Sequence, residues 1–355
     1  MTPSTVTRPT GKDGAPVITL HASVGTSASA RFKDATRRLP LRELGMLPAI
    51  AVAIVIGAAI SPAFLTANNL INVLQQSSEL SVLVVAEALI LLTGKFDLSL
   101  ESIVGFAPML AAWLVVPVSA GGQGAALPAA LGLLVLFATG AAVGAVNGLL
   151  VVKLRLNAFI TTLAMLILLR GATLGIDNGR TLAQLPSAFT FLGDYALLSL
   201  PLSVWVAGAL FLVAGIVLRQ HRLGRALYII GGSADAARAA GIRVQRITLA
   251  VYIIGGLLAA LAGLMFTGRL ASVTANQGQN MIFTVFAAAV IGGISLNGGR
   301  GTMLGALSGV LLLGLISNIL TLSQISSFWI QASQGAIILV ALLFQRVTAG
   351  ETDDS

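Results

Sequence analysis

Long apolar runs, each close to the length of a membrane crossing, follow one another along this chain. A helix needs about 20 apolar residues to span the hydrocarbon core. Runs approaching that length cover 44–65, 70–93, 99–117, 127–152, 157–176, 200–218, 247–268, 281–297, 302–322 and 328–345. The apolar residues are contiguous rather than alternating, so the pattern predicts an all-α, polytopic membrane protein with about ten transmembrane segments. Gly292 and Gly293 interrupt the eighth run, which predicts a broken or re-entrant segment within 281–297.

The cations test this count through the positive-inside rule. With the N-terminus in the cytoplasm and ten alternating spans, Lys95, Lys153, Arg155, Arg219, Arg222, Arg225, Arg238, Arg243, Arg246, Arg300 and Arg346 all fall inside. Only Arg170, Arg180 and Arg269 fall at or near the outside, and both termini are then cytoplasmic. Residues 1–43 are rich in Ser, Thr, Pro, Gly and Ala and end in Arg31, Lys33, Arg37, Arg38 and Arg42, a composition expected of a disordered cytoplasmic tail. The first apolar run starts far from the N-terminus and continues to spanning length, unlike a signal peptide. A transmembrane domain over 44–346 and a short cytoplasmic tail over 347–355 complete the expected organisation. Two longer polar connections remain, 177–199 outside and 219–246 inside.

Composition narrows the chemistry. Of 355 residues 56% are hydrophobic and 10% charged, against roughly 25% charged in soluble domains. The absence of cysteine excludes disulfides, thiolate metal sites and cysteine nucleophiles. His21 lies in the tail and His221 in a basic loop, so neither a metal site nor a histidine-based catalytic site is expected. The net charge of +8 comes from cations that border apolar segments. Membrane lipid, not nucleic acid, is the partner this implies. No G-x-x-x-x-G-K-[ST] loop occurs, and the glycines of 292–305 lack its lysine. No cofactor is expected in this chain, and any ATP hydrolysis would take place elsewhere. With no nucleophile–base pair either, a membrane enzyme is disfavoured.

Glycines recur every four residues at Gly140, Gly144 and Gly148 and again at Gly301, Gly305 and Gly309. Such a stripe flattens one helix face and lets a neighbouring backbone approach closely. The strings GAVNGLL and GALSGVLLLG are alike yet run in opposite directions in the expected topology, as in an inverted repeat.

Polar residues inside the runs are costly, about 2.5–3.5 kcal/mol for a charge at the bilayer centre on insertion scales. On the second run Asn72, Gln76, Glu79 and Glu87 fall at about 0°, 40°, 340° and 60°, one polar face. They either line a path or hold the bundle together. Asp97 and Ser99 open the third run, where they either cap free backbone N–H groups or meet a partner or gate. In the inside loop, Ser233 is a plausible N-cap, 234–240 a short helix-forming run and Gly241 its stop.

Four stretches in order carry a family resemblance. NLINVLQQSSELSVLVVAEALILLTGKFDLSLES (69–102) resembles the second span and following motif of ribose-type sugar ABC importer permeases, where TGGIDLSVGS is typical. NAFITTLAMLILLRGATLGIDNGR (157–180) resembles that family's fifth span and outer loop. RLGRALYIIGGSADAARAAGIRVQRITLAVYIIGGLLAALAGL (222–264) resembles its cytoplasmic loop and following span. AAAVIGGISLNGGRGTMLGALSGVLLLGLISNIL (287–320) resembles its glycine-rich C-terminal region.

The resemblance implies a permease subunit in the bacterial inner membrane, paired with an identical or homologous second permease. A cytoplasmic ATPase binding ATP and Mg would drive it, and a periplasmic or lipid-anchored solute-binding protein would feed it. It also implies that Gly231, Gly232, Ser233, Asp235, Ala237, Arg238 and Gly241, within the loop 219–246, dock on the ATPase. The cargo expected is a monosaccharide or related polyol. Hydrogen-bonding candidates for the path are Asn72, Gln76, Asn157, Thr161 and Asn178, with Glu79, Glu87, Asp97 and Ser99 as polar neighbours. Nucleosides and branched-chain amino acids are alternative cargoes, and an ion-coupled secondary transporter is the alternative mechanism, with the paired glutamates as proton sites. Lys95 and Glu101 stand where the typical motif has glycine, and Glu79 and Glu87 stand where apolar residues are usual. If these line the path the cargo is more polar than ribose, whereas if they pair they change only the packing.

Overall fold

The computed structural model describes residues 46–350. The chain divides at Arg42/Glu43 into two units. The expected N-terminal tail, with His21 and its cations, lies outside the described residues. Residues 347–350, assigned above to a C-terminal tail, belong to the last helix, and 351–355 also lie outside the described residues.

Every one of the ten apolar runs is helical. The helices are α1 Leu47–Ile60, α2 Ala67–Leu92, α3 Leu100–Val115, α4 Ala129–Gly148, α5 Ala158–Ile176, α7 Leu202–Gln220, α10 Val244–Leu270, α11 Met281–Ile291, α12 Met303–Leu322 and α13 Ser327–Gly350. Between them stand three short helices, α6 Ser187–Asp194, α8 Arg222–Gly232 and α9 Ala234–Ala239. Among the described residues, six helices (α2, α4 with its last turn, α5, α7, α10 and α12) are long and apolar enough to cross a membrane. The connection 177–199 is more structured than its polarity suggests. It contains α6 and the first strand of a hairpin, β1 Ala196–Leu197 with β2 Leu200–Pro201. Leu198 and Ser199 turn the hairpin at φ 51° and 65°, the left-handed pair a two-residue hairpin requires.

Three of the described apolar helices, α1, α3 and α11, fall short of a full crossing. At about 1.5 Å per residue, α3 reaches about 24 Å and α11 about 16 Å, against a hydrocarbon core of about 30 Å. The eighth run breaks where its glycines stand: α11 stops at Gly292, and Gly293 follows at φ +83°. The third run, read as a full span, instead starts inside the bundle, because residues 93–99 fold back into it.

Helix α10 is the hub, packed against α4, α2, α3 and α6. Glycine makes the α4–α10 approach close. A Cβ on Gly140 would collide with the Gly256 carbonyl, one on Gly144 with the Tyr252 carbonyl, and one on Gly256 with the Gly140 carbonyl. The second stripe works the same way at Gly305 and Gly309, whose Cβ would meet the Gly292 and Ala288 carbonyls of the α11 end. Gly301 is a correction: it precedes α12, in the loop at φ +139°. A Gly144→Leu substitution is expected to destabilise the chain by about 3 kcal/mol or more, the upper end for overpacking. Thermal unfolding followed by tryptophan fluorescence in detergent checks it.

The connections sort to two ends. At one, Leu182 and Val273 exchange two backbone hydrogen bonds of 2.9 Å, and Gly193 abuts Gly268. At the other, the chain after α2, the end of α8 and the loop after α11 meet.

Candidate functional site

Two arrangements of polar residues stand out, one inside the bundle and one at the end that carries the expected coupling segment. The interior one is built on 93–99. Asp97 is fully buried, and its Oδ1 accepts from the Ser99 amide at 2.9 Å and the Ser99 hydroxyl at 2.6 Å. Asn147, also fully buried on α4, donates from Nδ2 to Ser99 Oγ at 2.7 Å and to Asp97 Oδ1 at 3.4 Å. The neighbouring backbone is tied down residue by residue. Tyr252 donates its hydroxyl to the Phe96 carbonyl at 2.9 Å, the Asp97 amide donates to Glu87 Oε1 at 3.4 Å, and the Leu98 amide donates to Thr162 Oγ1 at 3.1 Å. Asp97 thus does satisfy a free N–H, whereas Ser99 makes no side-chain cap and gives its hydroxyl to Asp97 instead. Glu87 Oε2 and Asn147 Oδ1 have no hydrogen-bond partner among the described residues.

Two buried ion pairs flank this network. Arg269 holds Glu79 by both oxygens, Nε to Oε1 at 2.6 Å and Nη2 to Oε2 at 2.9 Å, and lies 4.8 Å from the Phe266 ring centroid. Arg170 holds Glu101 Oε1 at 3.1 Å, and Glu101 Oε2 accepts the Ile282 amide at 3.2 Å. A carboxylate in that position satisfies an orphan N–H of α11 and faces the positive end of its dipole. Gln277 fastens the same region, donating from Nε2 to the Val104 and Gly263 carbonyls at 2.9 and 3.1 Å. Glu79 and Glu101, two of the departures from the typical motif, therefore pair with arginines and not with each other. Glu79 and Glu87 take different partners, Arg269 for the first and the Asp97 amide for the second. Interhelical hydrogen bonds in membranes average about 0.6 kcal/mol with a maximum near 1.7. Asn147→Ala is expected to cost about 1–2 kcal/mol, since it strips two donors from a buried carboxylate and hydroxyl, and chemical unfolding in mixed micelles measures it.

The other candidates fall elsewhere. Asn72 and Gln76 are exposed on the first turns of α2, before its fully enclosed stretch begins at Ser77. Asn157 caps α5, its Oδ1 accepting from the Ile160 amide at 3.1 Å, and Thr161 donates back to the Asn157 carbonyl at 2.7 Å. Neither joins the network; Thr162, one residue on, does. Asn178 is exposed, beside buried Asp177. Asn147 was legible as a lone amide in an apolar run, and Arg170 and Arg269 as breaches of the positive-inside sorting. Tyr252, Thr162 and Gln277 carried no such signal.

The expected coupling segment has the predicted local form. Ser233 Oγ accepts the Ala236 amide at 3.2 Å, α9 follows, and Gly241 ends it at φ +77°. Gly232, Ser233, Asp235, Arg238 and Gly241 are exposed, and Arg238 pairs with Asp235. Ala237 is fully buried, so it anchors α9 to its own chain and offers no surface to a partner. Gly231 is the root. A Cβ there would strike the Leu92 carbonyl and the Gly299 nitrogen, which hydrogen-bond each other at 3.1 Å. Gly94 and Gly298 complete the crossing, both at positive φ, 72° and 87°. These contacts join the root of α9 to the end of α2, where Leu92 lies five residues from Glu87, and to the loop that follows α11.

Comparison with known proteins matches residues 69–343 to the family described as branched-chain amino acid transport system / permease component. The ribose import permease protein RbsC of Escherichia coli (strain K12) is 38% identical over 307 residues, 85% of this chain and 93% of that protein. RbsC of Bacillus subtilis (strain 168) is 33% identical over 86% of this chain and 93% of its own length. The L-arabinose ABC transporter permease protein AraH of Azospirillum brasilense is 32% identical over 84% and 86%. No solved structure matches the chain. The match over most of the sequence, on a bundle of apolar helices with a capped loop helix at one end, shows that this chain belongs to the branched-chain amino acid transport system / permease component family.

Proposed function

We propose that the chain is the membrane permease subunit of an ABC importer in the bacterial inner membrane, carrying a monosaccharide or related polyol. The observation that carries this reading is the alignment along most of the chain with permeases whose names state ribose and L-arabinose import. Ten crossings with both ends in the cytoplasm accommodate the ten helical runs and keep the two ends of the bundle on opposite sides. A separate ATPase, with its ATP and Mg, docks on α9, and an extracytoplasmic binding protein delivers the solute to the other end.

In this reading the chain supplies half of a pathway completed by a second permease. The exposed amides of Asn72 and Gln76 on α2 then face the shared route, while Glu79, Glu87, Asp97 and Ser99 brace the walls. The network around Asp97 fixes where 93–99 re-enters the bundle, and the glycine crossing at Gly231 ties that segment to the elbow. ATP-driven rocking of α9 reaches the interior through backbone contact alone. Nucleosides or branched-chain amino acids are the alternative cargoes, the latter because the family description names them.

The exposed alanines of α9 provide the test. Ala236→Glu and Ala239→Glu add a charge on the docking face without touching the core. Uptake of labelled sugar by cells is expected to fall more than about tenfold, since charge placed in a desolvated interface costs several kcal/mol. The thermal midpoint of the purified chain should not move. Unchanged uptake with both substitutions would remove α9 from coupling.

A further inference from the structure

Beside the elbow lies a cavity of about 1190 Å³, bounded by the end of α2, the end of α4, α8, α9 and the start of α10. Its charged lining is all of one sign: Lys95, Arg155, Arg238, Arg243 and Arg246 face it, and no carboxylate lines it among the described residues. Arg238 is paired with Asp235, and the other four make no ion pair among the described residues. Cations that merely obey the positive-inside rule would be spread along the membrane face. Here five from four separate segments converge on one concavity, where low-dielectric walls strengthen their combined field.

Two further features point to an anion. Helix α10 begins at this cavity, and its N-cap residue, Arg243, makes no side-chain cap. The first-turn amides of Gln245 and Arg246 therefore present free donors and the positive end of a 27-residue helix dipole to the same space. Arg155 sits there in the left-handed conformation at φ +58°, just past the π turn Leu149–Lys153 that ends α4. Such a backbone costs an ordinary residue about 1–2 kcal/mol. Arg155 holds that backbone in the cavity lining, where a glycine would have been comfortable.

We propose that this cavity binds a phosphate ester. Guanidinium forks match phosphate oxygens in pairs, and backbone N–H groups at a helix start supply the remaining donors. Val151, Leu156 and Ile230 give the rest of the group an apolar wall, and the volume exceeds what inorganic phosphate would fill. The ester comes from one of two sources, the headgroup of an anionic phospholipid or a soluble sugar phosphate. Either would clamp α4, α9 and α10 together, so occupancy would stiffen the elbow and tune its swing.

The test uses the purified full chain and involves no transport, so it can fail while the importer reading stands, and the reverse. In one arm, glucose 6-phosphate and glucose are titrated by calorimetry. In the other, delipidated protein is offered equal phosphatidylglycerol and phosphatidylcholine, and retained lipid is read by native mass spectrometry. At least one phosphate probe is expected to bind in preference to its uncharged or zwitterionic counterpart. Preference in the lipid arm alone assigns the source to the bilayer, and preference in the sugar arm alone assigns it to the cytosol. The exposed double variant R155Q/R243Q should weaken binding about tenfold or more, as loss of charge-assisted contacts implies. The control R219Q/R222Q removes the same charge away from the cavity and should leave affinity within about twofold. Absence of preference in both arms overturns the proposal, as does an equal loss in the control.

Discussion

Arg269→Met is expected to destabilise the chain by about 3 kcal/mol, the low end for breaking a buried ion pair. The cost comes from Glu79, which is 2% exposed and loses two charge-assisted hydrogen bonds. The double substitution Glu79→Leu with Arg269→Met should recover most of that loss, because removing both charges leaves neither uncompensated in an apolar surround. Thermal unfolding of the four proteins in one detergent gives the double-mutant cycle. A coupling below about 0.5 kcal/mol would mean that the pair is solvated and contributes little, as exposed pairs do. The outcome also bears on cargo. If the double variant still imports the same sugar, Glu79 serves packing, and the departure from the usual apolar residue carries no information about the solute.

Gly231→Ala is expected to abolish most import, while the same change one residue later does almost nothing. A Cβ on Gly231 would collide with backbone atoms of Leu92 and Gly299, which no rotamer change can relieve, whereas a Cβ on Gly232 meets nothing within 4 Å. Helix propensity is altered alike in the two variants, so the contrast isolates the crossing. Overpacking of this kind costs about 1–3 kcal/mol, enough to displace the chain segments but not to unfold the bundle. Uptake should fall by about tenfold or more in Gly231→Ala and stay within about twofold in Gly232→Ala. Equal behaviour of the two would mean that the glycine crossing does not connect the elbow to the interior.

The helices were readable because run length measures apolarity, and apolarity is what membrane insertion selects. Depth is a different quantity. Residues 99–117 have the composition of a full span, yet α3 starts inside the bundle because Asp97 and the backbone of Phe96 and Leu98 find partners there. Those partners, Asn147, Tyr252 and Thr162, come from three other helices, and pairing at such range leaves no local trace. The same holds for the arginines. Arg170 and Arg269 were visible as exceptions to the inside sorting, but their glutamates lie 69 and 190 residues away. On α5 Thr161 was the path candidate, while it is Thr162 that joins the buried network. Thr161 and Thr162 are about 100° apart on a helix, and only the packing of α3 decides which of them faces inward. Helix α9 was the most local of these features, with cap, helix and stop inside nine consecutive residues from Ser233 to Gly241, and its form was read accordingly. Ala237 was the exception, because its burial depends on the chain beneath it.

That this chain is a passive half-pathway moved by a companion's ATP hydrolysis is most directly tested by reconstitution. The purified chain is placed in proteoliposomes with the ATPase and binding protein from its own cell, and labelled ribose or arabinose is followed across the membrane. Accumulation is predicted only when ATP, the ATPase and the binding protein are all present, with a proton gradient unable to replace them. Accumulation by the chain alone on a proton gradient would contradict it.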